Sequence, residues 1–162
     1  MEQEELARAV VAKYEEETAI YEQLLALAGR VKTHLLAGEV ELVQGLLGEQ
    51  ARLVAVIDRC GQELEPLRRR LAGDFGYPDL TLGLLSKLTE PKPPLARVAG
   101  AMRKVARLLR ELNAIHGENQ RLLEERLGAV RAERANLARG KNAVQAYRAP
   151  VAGESRFVDR RS

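Results

Sequence analysis

Apolar residues recur along this chain at alternating intervals of three and four, the spacing of helices that lie side by side. The first run is Ala7, Val10, Tyr14, Tyr21, Leu24, Ala28, Val31 and Leu35, with Glu17 standing where an apolar residue belongs. It predicts a helix over about 2–37, interrupted by Gly38. A second run holds Val43, Leu46, Leu53, Ile57, Cys60, Leu64, Leu67 and Leu71, with Gln50 out of character, and predicts a helix over about 39–72. Only a short turn separates the two, so they are expected to pair as an antiparallel hairpin.

GDFGYPDLTLGLLSKLTEPKPP, residues 73–94, breaks the pattern. Gly73, Gly76 and Pro78 stop the second helix, and Thr81 is placed to cap a short helix over about 81–89. Pro91, Pro93 and Pro94 end that helix and introduce a third long one over about 95–139. Its stripe reads Val98, Met102, Val105, Leu109, Leu112, Ile115, Leu122, Val130 and Leu137, and Gly140 is expected to terminate it. The pattern predicts an all-α protein: an elongated antiparallel three-helix coiled-coil bundle over 1–140 with a short connector helix. Residues 141–162, poor in periodic apolar positions, are expected to be a flexible tail.

Composition agrees with long helices. Apolar residues are 46% of the chain and aromatics only 4%, so the core is built from Leu, Ala and Val. Charge divides unevenly: residues 1–90 hold 10 Lys/Arg against 16 Asp/Glu, and residues 91–162 hold 16 against 7, together giving +3. The two halves suit each other within one bundle, and the basic half also suits an acidic partner.

Chemistry finds little footing. Cys60 is the only cysteine and falls on the apolar stripe, as a small core residue. His34 and His116 stand on different helices, without the paired spacing of a metal site. There is no Glu-x-x-His repeat and no phosphate-binding glycine loop, and Glu15, Glu16 and Glu17 form a solvated run rather than a dyad. No catalytic residue, metal ligand or cofactor is expected. Arg103, Lys104, Arg107 and Arg110 make a cationic face, but no aromatic residue accompanies them for base stacking. Nucleic-acid binding is therefore the weaker reading. The N-terminus lacks the layout of a signal peptide, and no apolar run approaches ~18 residues, so a cytoplasmic protein without membrane insertion is expected.

Helical surfaces remain. Leu108 and Leu109, then Leu122 and Leu123, give the third helix two adjacent apolar columns, one for the hairpin and one for a partner helix. Between them lies a polar knot, RELNAIHGENQRLL, in which Asn113 and Asn119 can fix register by hydrogen bonding.

Three stretches taken in order resemble the FlgN family of flagellar export chaperones. They are LLALAGRVKTHLLAGEVELVQGLLGEQARLVAVI, PDLTLGLLSKL and RELNAIHGENQRLL, the last carrying Leu112, Asn113, Asn119, Leu122 and Leu123. Tyr147 followed by Gly153 resembles a feature beyond the family's last helix. The resemblance implies a cytoplasmic chaperone that binds the terminal helices of hook–filament junction proteins and delivers them to the flagellar type III export gate. It implies a client surface on the last helix at Leu108, Leu112, Asn113 and Ile115, continuing through Asn119, Leu122, Leu123 and Val130. It also implies that Tyr147 contacts the cytoplasmic domain of the gate. A homodimer is compatible with this pattern, and a self-assembling coiled-coil adaptor is the alternative function.

Overall fold

The computed structural model describes the backbone of residues 2–161 and the side chains of residues 2–146. Four helices form in order: α1 (Glu2–Leu36), α2 (Val40–Asp74), α3 (Leu82–Lys87) and α4 (Pro93–Arg161). No strand occurs among the described residues. The chain divides into two compact units, residues 1–122 and residues 123–162.

Glycine geometry makes the turns. Gly38 and Gly76 both adopt φ 77°, the left-handed conformation that costs other residues energy. At the first turn the Gly38 N–H donates to Leu35 and the Glu39 N–H donates to His34 at 2.9 Å. At the second, the Gly76 N–H donates to Gly73 and the Tyr77 N–H donates to Ala72 at 2.9 Å. Each pair closes a Schellman motif and satisfies carbonyls that the helix end would otherwise leave open. Thr81 caps α3 as the sequence predicts, its hydroxyl accepting from the Leu84 N–H at 3.1 Å.

Unit 1 is held by the seams. In α1 Ala7, Val10, Tyr14, Leu24, Ala28, Val31 and Leu35 are buried, and in α2 Val43, Leu46, Cys60, Leu64 and Leu71. Ion pairs fix the directions. Glu2 meets Arg70 and Lys13 meets Glu63, so numbers rise in α1 as they fall in α2, and the two helices are antiparallel. Glu4 meets Arg97 and Lys32 meets Glu118 at 2.6 Å, so the first part of α4 runs in the direction of α1. The main core joins Leu6–Tyr14 positions of α1 to Leu64, Leu71 and Ala72 of α2, with Leu80, Leu85, Leu95, Val98 and Val105. Pro66 removes one backbone donor within α2, but the neighbouring seam residues Leu64, Leu67 and Leu71 are packed and the helix continues.

Both polar interruptions of the seams are buried. Glu17 in α1 faces Gly61 in α2, where a Cβ would lie 4.0 Å from the carboxylate. Gln50 is buried with its amide nitrogen unpartnered by protein.

The described residues of unit 2 lie within α4. Here the structure departs from the expected stop at Gly140, because α4 continues through that residue. Gly140 lacks the positive φ that ends α1 and α2. A glycine inside a helix costs about 1 kcal/mol relative to Ala, too little to end one flanked by ANLAR and KNAVQA. The stretch read as a tail from residue 141 therefore begins inside the helix.

Candidate functional site

The third helix of the sequence reading is the first two-thirds of α4, and its site residues divide between the two units. In unit 1, Leu108 and Leu112 are buried. Leu112 packs on Leu24 and Ala28 of α1, with Ile115, Leu53 and Ile57 around it. Seven residues after Leu112, on the same face, comes Asn119, also buried. Its side-chain N–H donates to the Ala28 carbonyl at 2.9 Å, while its own oxygen has no protein partner. Beside it the Lys32 ammonium bonds Glu118, which holds that carboxyl below the usual range. Leu112, Ile115 and Asn119 thus converge on α1. Asn113, about 100° further round the helix than Leu112, is exposed, as are His116 and Gly117, and Leu122 ends the unit half-buried.

The polar knot is therefore split by helical phase. One asparagine fastens α4 to α1, and the other points to solvent.

In unit 2, Leu123 is half-buried and Val130 is 40% exposed. Three residues outside the expected site share their face: Leu127 is 42% exposed, Leu137 67% and Val144 51%. The positions 123, 127, 130, 134, 137, 141 and 144 continue the alternation of four and three without a break, and Arg134 and Lys141 occupy two of them. That seven-position register was hidden in the sequence because two of its members are cationic and because Gly140 reads as a stop. Every described side chain from Leu127 to Ala146 is exposed. Tyr147 lies outside the residues whose side chains are described.

Titratable groups in unit 1 serve packing. Arg68 donates from Nε to Asp79 at 3.2 Å, joining α2 to the connector, and its charge lies near the Tyr14 hydroxyl of α1. Burial pushes the Tyr14 hydroxyl up, opposed by Arg68. Burial likewise pushes the Glu17 carboxyl up, and the charge of Arg68 opposes it. The Lys13 ammonium is held protonated by bonds to Glu63 and then Glu16. Burial and the nearby Glu16 push the Cys60 thiol up, which disfavours the thiolate that nucleophilic chemistry needs.

An open groove of about 420 Å³ runs along α1 and α2 between Gln23, Arg30, Glu49 and Arg52, with Leu27 and Leu53 at its floor. Its charged lining is two arginines and one glutamate, with no histidine or cysteine. Arg103, Lys104, Arg107 and Arg110 are exposed together beside Leu82 of α3. Among the described residues no cluster of His, Cys, Asp or Glu is arranged to hold a metal ion, and no helix is long and apolar enough to cross a membrane. The arrangement offers helix faces for a helix rather than a cleft for a small molecule.

Comparison with known proteins agrees with that character. No characterised protein and no solved structure gives a significant match. The family model described as FlgN protein matches residues 1–151, nearly the whole chain. On that match the chain belongs to the FlgN family, the flagellar export chaperones.

Proposed function

We propose that this chain is a non-enzymatic cytoplasmic chaperone that binds the terminal helices of hook–filament junction proteins and carries them to the flagellar export gate. Family membership supports the export-chaperone role. The observation that carries the finer reading is the apolar face of unit 2, where Leu123, Leu127, Val130, Leu137 and Val144 share one side of α4 without cover. A client segment that is disordered when free folds as an amphipathic helix along such a face. Ordering it costs free energy, which keeps affinity moderate and permits release.

Within this reading α1, α2 and the first part of α4 act as an antiparallel three-helix coiled-coil bundle. Leu108, Leu112 and Asn119 hold α4 to that bundle, Ile115 packs beside them, and Asn113 and Leu122 remain at its surface. Client binding falls to Leu123 and Val130 and extends to Leu127, Leu137 and Val144. Tyr147 serves the gate contact.

The test compares Leu127→Asp/Leu137→Asp with Leu112→Asp, using terminal-helix peptides of junction proteins and circular dichroism. The first variant should lose binding by more than about tenfold with unit 1 intact, since two aliphatic contacts of about 1.5 kcal/mol or more disappear. The second should unfold unit 1. Undiminished binding by the first variant would remove the client from this face. Tyr147→Ala should retain peptide binding and lose export, and joint loss of both would refute a separate gate contact. The same face suits a self-assembling adaptor, and sedimentation separates the readings: a scaffold is already a stable oligomer without client.

A further inference from the structure

Two positions in the unit 2 face are not apolar. Arg134 and Lys141 stand at successive members of the series 127, 134 and 141, in line with the exposed leucines and valines. Neither has a carboxylate on its own helix where one would pair with it. Around Arg134 the residues three and four away are Val130, Arg131, Leu137 and Ala138. Around Lys141 they are Leu137, Ala138, Val144 and Gln145. No ion pair joins either cation to another described residue. By contrast, Arg139 on another face is occupied by the Asn136 side chain at 2.7 Å.

A cation inside a helix–helix seam loses water when a partner arrives, and it then needs an anion opposite. A second copy of this chain carries no acid in the line of its own face, where Glu133 stands only beside it. Paired in parallel and in register, it sets Arg134 against Arg134 and Lys141 against Lys141. Paired antiparallel over its full length, it sets Arg134 against Arg134 and Lys141 against Leu127, and no register supplies an acid from the seam itself, because the seam from Leu123 to Val144 contains no acidic residue. The complementary partner carries the acids itself.

We propose that the unit 2 face selects an amphipathic helix whose apolar stripe contains two carboxylates seven residues apart, one facing Arg134 and the other facing Lys141. The spacing follows from the seven-residue separation of the two cations and holds for either orientation of the bound helix. This rests on the reading of unit 2 as the client surface and adds the chemistry by which one helix is preferred over another. The apolar positions supply area, and the charge pair fixes register and rejects helices with Lys or Leu at those two places.

The experiment uses the full chain and three synthetic helices of about three heptads, identical except at the two positions, which carry Glu, Lys or Leu. Binding is followed by fluorescence anisotropy across a salt series. The Glu helix should bind at least about tenfold more tightly than the Lys helix at low salt, a modest demand for two close charge pairs. Arg134→Glu/Lys141→Glu should reverse that order, with helicity and unit 1 melting unchanged. Equal binding of all three helices would overturn the charge register while leaving the apolar client face standing. No binding by any helix from a chain that sediments as a monomer would overturn both. No binding from a chain that sediments as a stable dimer would give the face to a second copy. Displacement of the Glu helix by random-sequence duplex DNA, steepening as salt falls, would assign the cations to phosphate instead.

Discussion

Replacing Glu17 with Leu is expected to stabilise unit 1. Glu17 is only 7% exposed and sits at a seam position of α1 that its neighbours fill with Val10, Tyr14 and Leu24. Its carboxylate faces Gly61, and only the charge of Arg68 offsets the loss of water around it. Glu17→Leu removes that desolvated charge and buries an aliphatic side chain, a gain of about 1.5–3 kcal/mol by area. Against this stands the lost attraction to Arg68, about 1 kcal/mol, while Arg68 keeps its bond to Asp79. The net gain is about 0.5–2 kcal/mol at neutral pH, in line with replacements of other buried charges, or a rise in melting temperature of about 2–10 °C. The pH dependence identifies the cause. Burial raises the folded-state value above the ordinary 4.5, so between the two values the native state binds more protons than the unfolded state. Stability contributed by Glu17 is therefore fully present below the ordinary value and lost as pH rises through the folded one, and the advantage of Leu should be largest at neutral pH, shrink as pH falls between the two, and level off below the ordinary value. Urea unfolding of both proteins across that range, compared as differences, measures it. A variant less stable than its parent at neutral pH, or an advantage that grows on acidification, would show that Arg68 makes the ionised carboxylate a net stabiliser.

Asn119→Asp should cost about 2–4 kcal/mol, because it removes the donor to the Ala28 carbonyl and leaves a buried carboxylate against an acceptor; urea unfolding at neutral pH checks it. Gly76→Ala should destabilise by about 1 kcal/mol, whereas Gly140→Ala should increase helicity, since only the first holds a positive φ and the second has open space around it. Thr81→Ala removes the cap bond to the Leu84 N–H and should cost about 1 kcal/mol, measurable in the same unfolding experiments.

How far the chain could be read in advance depends on whether the deciding partner lies within it. The α1 and α2 seams were legible because each apolar position finds its neighbour on the other helix, and the three-and-four spacing records that pairing directly. Even the exceptions were visible: Glu17 and Gln50 stood at seam positions by count, and both are buried. Helical phase also separates the two asparagines, since Asn119 lies one heptad after Leu112 while Asn113 lies one residue after it. The end of α4 was misjudged. Gly38 and Gly140 are the same residue, and the sign of φ follows from whether the chain has somewhere to turn, not from the glycine itself. After Gly38 the chain reverses onto a packed partner helix, and after Gly140 helix-forming residues simply continue. The unit 2 face was least legible, because no described residue of the chain covers it. Arg134 and Lys141 look like ordinary solvated charges until the exposed Leu127, Val130, Leu137 and Val144 place them in one line. A cation pair in such a line meets no acid in the same line of a second copy, which is why the proposed register calls on acids carried by another helix.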